Sequence, residues 1–401
     1  MTSAKELTAQ GESVRGAPLP YGRQSIDDDD IAAVVEVLRS DWLTTGPKVA
    51  EFEHAFAAFV GAREAVAVSS GTAALHTALA ALGIRPGDEV IVPAMTFAAT
   101  ANAVLLQGGT PVFADVAPDT LLLDPDAAAK KITPRTRAIL PVDYAGQPCD
   151  YAALRSLADA HGLALVADAC HSLGAADRGR KVGTLARLTA FSFHPVKHIA
   201  TGEGGMVTTD EPQLAAAMRR FRNHGIDTDH RQRAARGTWY YEVVELGYNY
   251  RLSDIHCALG LSQLRKLPGW IERRRAIARR YDAALPQTGC APLGVRSDTF
   301  HSYHLYVVRL AEGGTRSDRD AMFAALRAEG IGVNVHYSPV HLHPFYRQRL
   351  GTGPGMCPVA EAAADRILSL PMFPGMSDQD VSDVVRAVRK VTAAHLRIAA
   401  S

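Results

Sequence analysis

The sequence predicts an α/β protein in which a large domain, built on a mostly parallel seven-stranded sheet, is followed by a smaller C-terminal α+β domain. Two observations carry that prediction. From Ala65 onward, short apolar runs alternate with helical patterns, the rhythm of a buried parallel sheet whose crossovers are helices. Beyond a long helical stretch from about Ser253 to Leu285 the texture changes to alternating strands and amphipathic helices. A chain of 401 residues, 47% of them hydrophobic, has the apolar material for two such cores, which excludes disorder and small disulfide-stapled scaffolds.

The elements follow in order. An N-terminal arm, residues 1–20, is read as loose. Asp27 to Asp30 then supply the negative charge favoured at a helix start, and Ile31, Val34, Val35 and Leu38 make the i, i+3, i+4, i+7 stripe of that helix. Ala65–Val68, Glu89–Val92, Pro111–Ala114, Ala138–Val142 and Leu163–Ala167 read as strands, joined by Thr189–Phe193 and Gly205–Thr209. These belong to a large domain spanning 21–268, with a small domain at 269–401. The boundary sits at Pro268 and Gly269, where the long helical pattern is expected to break. In the small domain, residues 300–310 alternate as a half-buried strand, and Ser317 begins a helix that stops at Gly330. Ile331 to His336 reads as a further strand, and Ser377 with Asp380 caps a last helix through Val381, Val384, Val385 and Val388.

Composition narrows the function. Lys and Arg number 43 against 42 for Asp and Glu, so no electrostatic footprint for nucleic acid or an anionic membrane exists, and a small-molecule partner is expected. Five scattered cysteines without a C-x-x-C pair indicate neither a disulfide framework nor a thiolate zinc site. Met1 to Gly16 mixes charges with small polar residues and lacks the apolar core of a secretory signal, so a cytoplasmic protein is expected. Val90 to Ala114 is free of charge, but its Pro, Asn, Gln and Gly residues divide it into strand, helix and strand, so no membrane span is expected there.

Three features carry chemistry. Ser69-Ser70-Gly71-Thr72-Ala73 follows a strand and opens a helix whose apolar face is Leu75, Ala78, Leu79 and Leu82. Free backbone N–H groups at such a start, with glycine allowing close approach, suit a phosphate. Asp168 ends the strand Leu163–Ala167, at the carboxyl edge where α/β sheets bind ligands, and can face a cationic ring nitrogen. Lys197 stands in a loop between two strands, after Ser192-Phe193-His194-Pro195-Val196 and before Gly202-Glu203-Gly204-Gly205. Lysine is the side chain that condenses reversibly with an aldehyde, and burial makes it nucleophilic. Singly, each has an ordinary structural explanation: a turn, a helix cap, a surface lysine. Together they are the requirements of pyridoxal 5'-phosphate (PLP).

With these motifs in this order the chain resembles the DegT/DnrJ/StrS sugar aminotransferases of the fold-type I PLP enzymes. The likeness runs from about Leu19 to the C-terminus through Trp42-Leu43-Thr44-Thr45-Gly46-Pro47, Ser70 to Ala73, Pro93 to Phe97, Asp168-Ala169-Cys170-His171, Ser192 to Lys197, and Gly247-Tyr248-Asn249-Tyr250-Arg251. The resemblance implies an aminotransferase-like large domain, with Lys197 holding the cofactor, Asp168 pairing with its ring nitrogen, and Gly71, Thr72, Ala73 and Ser192 at its phosphate. Phe97 would stack on the ring, with His171 near its other side. Asn249 resembles a residue that reaches a phosphate in the neighbouring subunit, which implies a homodimer with shared sites; Arg251 belongs to the same motif, and relatives differ over which residue crosses.

Leu19 to Ile26, the loop around Thr44, and Asn334 to Pro339 look most like the branch that aminates a pseudaminic acid precursor, a UDP-linked 4-keto-6-deoxy-N-acetylhexosamine, with glutamate as donor. Tyr21, Leu43, Thr44, Thr45, Gly46, His336 and Tyr337 would then contact the sugar nucleotide. The alternatives are another nucleotide-linked keto sugar (dTDP- or GDP-linked, 3- or 4-keto) or a non-catalytic relative. Lys197 argues against the sugar dehydratases of the family, in which histidine takes its place. No metal is expected: His336, His341 and His343 lack cysteine or carboxylate partners at ligand spacing. Arg219, Arg220 and Arg222 read as a solvated helix face, with a nucleotide diphosphate as the alternative partner.

Overall fold

The computed structural model describes residues 12–228, 230–311 and 313–399; residues 1–11 of the arm lie outside that range. The seven expected strands form one sheet: β1 (Glu64–Val68), β2 (Glu89–Pro93), β3 (Thr110–Ala114), β4 (Thr136–Ile139), β5 (Ala164–Asp168), β6 (Leu188–Ser192) and β7 (Gly205–Thr209). Their spatial order is β1-β7-β6-β5-β4-β2-β3, and β7 alone runs against its neighbours. β2 and β7 are buried at every position, so both faces of the sheet are covered, as continuous apolar runs demand.

Four helices bear on the site. In α1 (Asp28–Leu38) Asp27 and Asp30 form a reciprocal capping box. α2 (Pro47–Val60) is capped from outside, because the buried carboxylate of Asp254 accepts the N–H groups of Gly46 at 2.6 Å and Lys48 at 2.9 Å. α3 (Gly71–Ala81) starts at the Ser70 cap and is followed by Gly83 at φ +76°. α4 is Ala98–Leu106.

A fifth helix, α5 (Asp254–Ala284), corrects the expected break: it runs through Pro268 without interruption for 31 residues. A proline inside a helix costs about 3 kcal/mol. Leu264, Leu267 and Ile271, all buried around it, each return roughly 1.5–3 kcal/mol, so packing prevails over the missing hydrogen bond. The helix also serves two cores. Cys257, Leu264, Leu267 and Ile271 join the sheet's core, whereas Ile277, Ala278 and Tyr281 join the second core.

That second core lies under an antiparallel sheet of β8 (Cys290–Pro292), β9 (Tyr306–Leu310) and β10 (Ile367–Leu370) with the helices α6 (Arg316–Ala328) and α7 (Asp378–Ala399). α6 is capped by Thr315, and Ser377 with Asp380 exchange the expected cap bonds before α7.

Three expectations fail here. Residues 300–310 are not one strand: Tyr303 has φ +51°, and Ser302 and Leu305 donate to the carbonyls of Gly146 and Ala145 in the large domain. Residues 331–336 form only isolated bridges, because the chain changes partner from Leu19 at Ile331 to Ser369 at Asn334. The described part of the arm is docked, with Arg15 paired to Asp380 and Asp383 and Leu19 buried. Among the described residues no helix is long and apolar enough to cross a membrane.

Close packing of α5 on α2 gives a test. A Cβ at Gly260 would stand 2.6 Å from the fully buried ring of Phe52. Gly260→Ala gains about 1 kcal/mol of helix propensity but overpacks a core at a cost of roughly 1–3 kcal/mol. The expected outcome is a lowered urea midpoint; a midpoint at or above that of the parent chain would show that Phe52 can move.

Candidate active site

A cavity of about 540 Å³ opens where the carboxyl ends of β5 and β6 meet the start of α3. Asp168, 5% exposed, ends β5. Its Oδ2 accepts the Thr100 hydroxyl at 2.8 Å and its Oδ1 accepts the Cys170 N–H at 3.2 Å. Thr100 is held in turn by Thr96 at 2.7 Å, so a chain of hydroxyls one helical turn apart orients the carboxylate while leaving lone pairs for a ligand.

Behind it lies a second buried carboxylate, Asp143, which accepts Ser172 Oγ at 2.6 Å, Tyr151 Oη at 2.8 Å and the Cys149 N–H at 2.9 Å. Burial pushes its pKa up to about 6, against the pull of those hydrogen bonds. It ties the 143–149 turn to Ser172, next to His171.

The anion cradle is the start of α3. Ser70 Oγ accepts the Ala73 N–H at 3.0 Å, which commits that group to the cap and leaves the turn at Gly71 and Thr72 facing the cavity. A Cβ on Gly71 would lie 2.7 Å from Ser192 Cβ, so only glycine lets the helix start approach the end of β6 this closely. Gly71, Thr72 and Ser192 all line the cavity.

Lys197 stands in the turn after β6, where its N–H donates to the His194 carbonyl at 2.8 Å. Burial pushes its ammonium pKa down, while Cys170 and Asp168 pull the other way. No carboxylate forms an ion pair with it among the described residues, and the lowered pKa favours the amine form relative to a solvated lysine.

The far wall comes from both domains. His171 Nε2 meets Tyr337 Oη at 3.1 Å, and burial together with Lys197 keeps the imidazole neutral. His336 bonds Ser369 Oγ at 2.8 Å and accepts the Tyr144 hydroxyl on its carbonyl; burial lowers its pKa to about 4. Tyr21 lies against His336, ring centroids 5.4 Å apart. Phe97, 61% exposed, stands at the rim with its ring 5.9 Å from Tyr337.

This geometry fits PLP. The cradle is closed to any side chain larger than glycine, a fixed carboxylate lies at the edge of the sheet, and a lysine of lowered pKa is present.

Tyr21, Gly71, Thr72, Phe97, Asp168 and His171, with Ser192, Lys197, His336 and Tyr337, are thus brought together. The other residues singled out in the sequence are not. Ala73 is buried under its cap, and Leu43 and Asn249 are exposed. Thr44, Thr45, Gly46 and Arg251 line a separate cavity of about 500 Å³ together with Arg219 and Arg222. Arg222 is not the solvated residue expected: it is tied to Glu53 and to the Ala67 carbonyl. Arg251 donates to Asn223 Oδ1 at 2.8 Å.

Sequence reasoning missed Thr100, Asp143 and His304. The i, i+4 spacing of Thr96 and Thr100 was the available signal for the first. His304 lies in the run misread as a strand, and its ring is 4.3 Å from that of His171.

The profile of the DegT/DnrJ/EryC1/StrS aminotransferase family matches residues 24–389. The spore coat polysaccharide biosynthesis protein SpsC of Bacillus subtilis is 45% identical over 376 residues, which is 93% of this chain and 97% of that protein. The PLP form of Spr1654 of Streptococcus pneumoniae, assigned as a sugar aminotransferase, superposes with a TM-score of 0.88 at 33% identity, covering 94% of this chain and 99% of that one. Helicobacter pylori PseC, an aminotransferase involved in the biosynthesis of pseudoaminic acid, gives 0.87 at 33% identity with the same coverage. Equal identity to Spr1654 and PseC does not single out the branch expected from Asn334 to Pro339. The chain belongs to the DegT/DnrJ/EryC1/StrS aminotransferase family and is a catalytic, PLP-dependent aminotransferase.

Proposed function

We propose that this aminotransferase, which acts on a nucleotide-linked keto sugar, takes its amino group from L-glutamate and delivers it to C4 of a UDP-linked 4-keto-6-deoxy-N-acetylhexosamine. The observation that carries the reading is the joining of Lys197, Asp168 and the Gly71 cradle in one cavity whose outer wall, Tyr21, His336 and Tyr337, is neutral and polar. Such a wall suits hydroxyl and acetamido groups. A second reading, another nucleotide-linked keto sugar, is favoured by the 45% identity to SpsC, which is named for spore coat polysaccharide biosynthesis.

Bound PLP supplies an aldehyde and a ring that accepts electrons. The roles of the chain's own groups follow from their surroundings. Gly71, Thr72 and Ser192 would hold the phosphate, and Asp168, with Thr100 and Cys170 fixing its rotamer, would keep a proton at the ring nitrogen. Lys197 Nζ would anchor the cofactor through its aldehyde and, as a free amine, would serve as the group that takes up and returns a proton. Phe97 and His171, both on the cavity wall, would confine the ring, and neutral His171 adds no positive charge beside Lys197.

We assign the complementary residues to a second copy of the chain. Asn249 is exposed, the Thr44, Arg251 and Arg222 cavity is separate from the Lys197 cavity, and the intervening segment carries Trp239 and Leu246 at 82% and 80% exposure. A homodimer would cover these apolar side chains and bring Asn249 or Arg251 to the neighbour's phosphate.

Three outcomes are expected. Purified protein should absorb in the visible, and borohydride followed by digestion should leave the cofactor on Lys197; an adduct on another lysine would overturn the assignment. Lys197→Ala should fold and lose turnover.

Mixing inactive Lys197→Ala with Asn249→Ala should restore activity, because half the sites in heterodimers carry neither defect. Proven subunit exchange without recovery would reject shared sites.

With labelled glutamate, nitrogen should move to the 4-position of the UDP sugar in preference to dTDP-linked 4-keto sugars. A preference for dTDP, or amination at C3, selects the second reading.

A further inference from the structure

We infer that His76 is a positioning residue that holds the Gly247–Arg251 segment in the register presenting Asn249 to the neighbouring subunit, an inference that rests on the shared-site reading above. His76 lies on α3, one turn beyond the phosphate cradle, and is fully buried. Its Nδ1 shares a hydrogen bond with Tyr250 Oη at 3.1 Å, while its ring packs edge-on against Phe221 and Tyr248, each 5.1 Å away. Tyr248 and Tyr250 stack on each other at 5.1 Å and 17°.

The segment is extended. Tyr250 N–H donates to the Arg222 carbonyl at 3.0 Å, Tyr248 N–H to the Phe221 carbonyl at 2.8 Å, and Asn249 bridges Asn223. In an extended chain successive side chains point to opposite sides. The two tyrosines turn inward onto His76, so Asn249 faces outward, and it is exposed. Slippage by one residue would exchange the tyrosines for Asn249 and Arg251. A second link ties the same place to the cradle, since the Tyr250 carbonyl accepts the N–H of Ser69, adjacent to the Ser70 cap.

A phenylalanine at 76 would keep an apolar ring in the aromatic nest. The imidazole is neutral, burial having lowered its pKa to about 4, and its Nε2 has no partner among the described residues. The feature a phenylalanine lacks is the bond to Tyr250. His76 therefore contributes a directional constraint where packing alone would suffice for stability.

The test measures binding of pyridoxamine phosphate, which is held without a covalent link, to the dimeric chain and to four variants: His76→Phe, Tyr250→Phe, Asn249→Ala and the double variant His76→Phe/Asn249→Ala. Loss of one hydrogen bond predicts that His76→Phe and Tyr250→Phe each weaken binding about fivefold to tenfold. Asn249→Ala should weaken it at least as much, and the double variant should match Asn249→Ala alone, the signature of groups acting through one contact. Urea midpoints within the error of the parent chain exclude general destabilisation as the cause. If Asn249→Ala weakens binding but His76→Phe and Tyr250→Phe do not, or if the effects multiply in the double variant, His76 does not act through Asn249 and the inference is wrong. If Asn249→Ala itself leaves binding unchanged in a proven dimer, the shared-site reading fails and takes this inference with it. Tyr250→Phe removes the same bond from the other side and decides the matter where His76→Phe does not fold.

Discussion

A buried cation with no carboxylate partner among the described residues ties the small domain to the site. Arg274, 1% exposed on α5, donates from one guanidinium nitrogen to the carbonyls of Tyr303 at 3.1 Å, His304 at 3.3 Å and Met372 at 2.9 Å. Burial lowers its pKa to about 9. Placing a charge in such surroundings costs several kcal/mol; the two hydrogens of Nη1 are shared among the three carbonyls, and hydrogen bonds to a charged group return roughly 1.5–3 kcal/mol each toward that cost. Those carbonyls come from the crossover between the domains and from the small domain, while the helix bearing Arg274 contributes to both cores. This side chain thereby links the second core to the first, together with the bonds of Ser302 and Leu305 to Gly146 and Ala145, on the segment that carries His304.

The same cation shapes the electrostatics. His198 and His304 are held neutral by burial, with Arg274 and Lys197 adding to that effect, and His171 by burial with Lys197. Burial disfavours the Lys197 ammonium, and the Asp168 charge opposes that effect, while the Asp168 oxygens accept from Thr100 and Cys170 and keep further lone pairs open to the cavity. Asp143, with its pKa pushed up to about 6, adds hydrogen bonds behind His171 without a full second negative charge at the lower end of the neutral range.

How much of this was legible in the sequence depended on how local the cause was. The seven strands and the cap at Ser377 were legible because period and capping chemistry act within a few residues. Asp168 and Gly71 were legible because one ends a strand and the other starts a helix, where side-chain placement follows from topology, and Lys197 because it stands in the loop between two strands of the same sheet. The break expected at Pro268 and the strand expected at 300–310 failed for a common reason. Their outcome is decided by residues far away in the chain: the apolar neighbours packed on α5 in one case, and Arg274 with Gly146 in the other. Likewise no spacing rule connects Thr44 to Arg251; they meet because Asp254, at the start of α5, holds the Gly46 loop by two backbone hydrogen bonds.

The separation of the two cavities has a structural logic of its own. Among the described residues the Lys197 cavity has one lysine and no arginine on its walls, whereas the Arg251 cavity gathers several arginines. A site meant to accept a cofactor phosphate and a nucleotide diphosphate within one chain would need more positive charge than its own wall supplies. Additional arginines beside Lys197 would strengthen anion binding and also depress the lysine's pKa further, coupling affinity to catalytic basicity. Keeping the arginines of that second cavity off the wall around Lys197, while the segment turns its tyrosines toward its own core and Asn249 outward, separates those two demands.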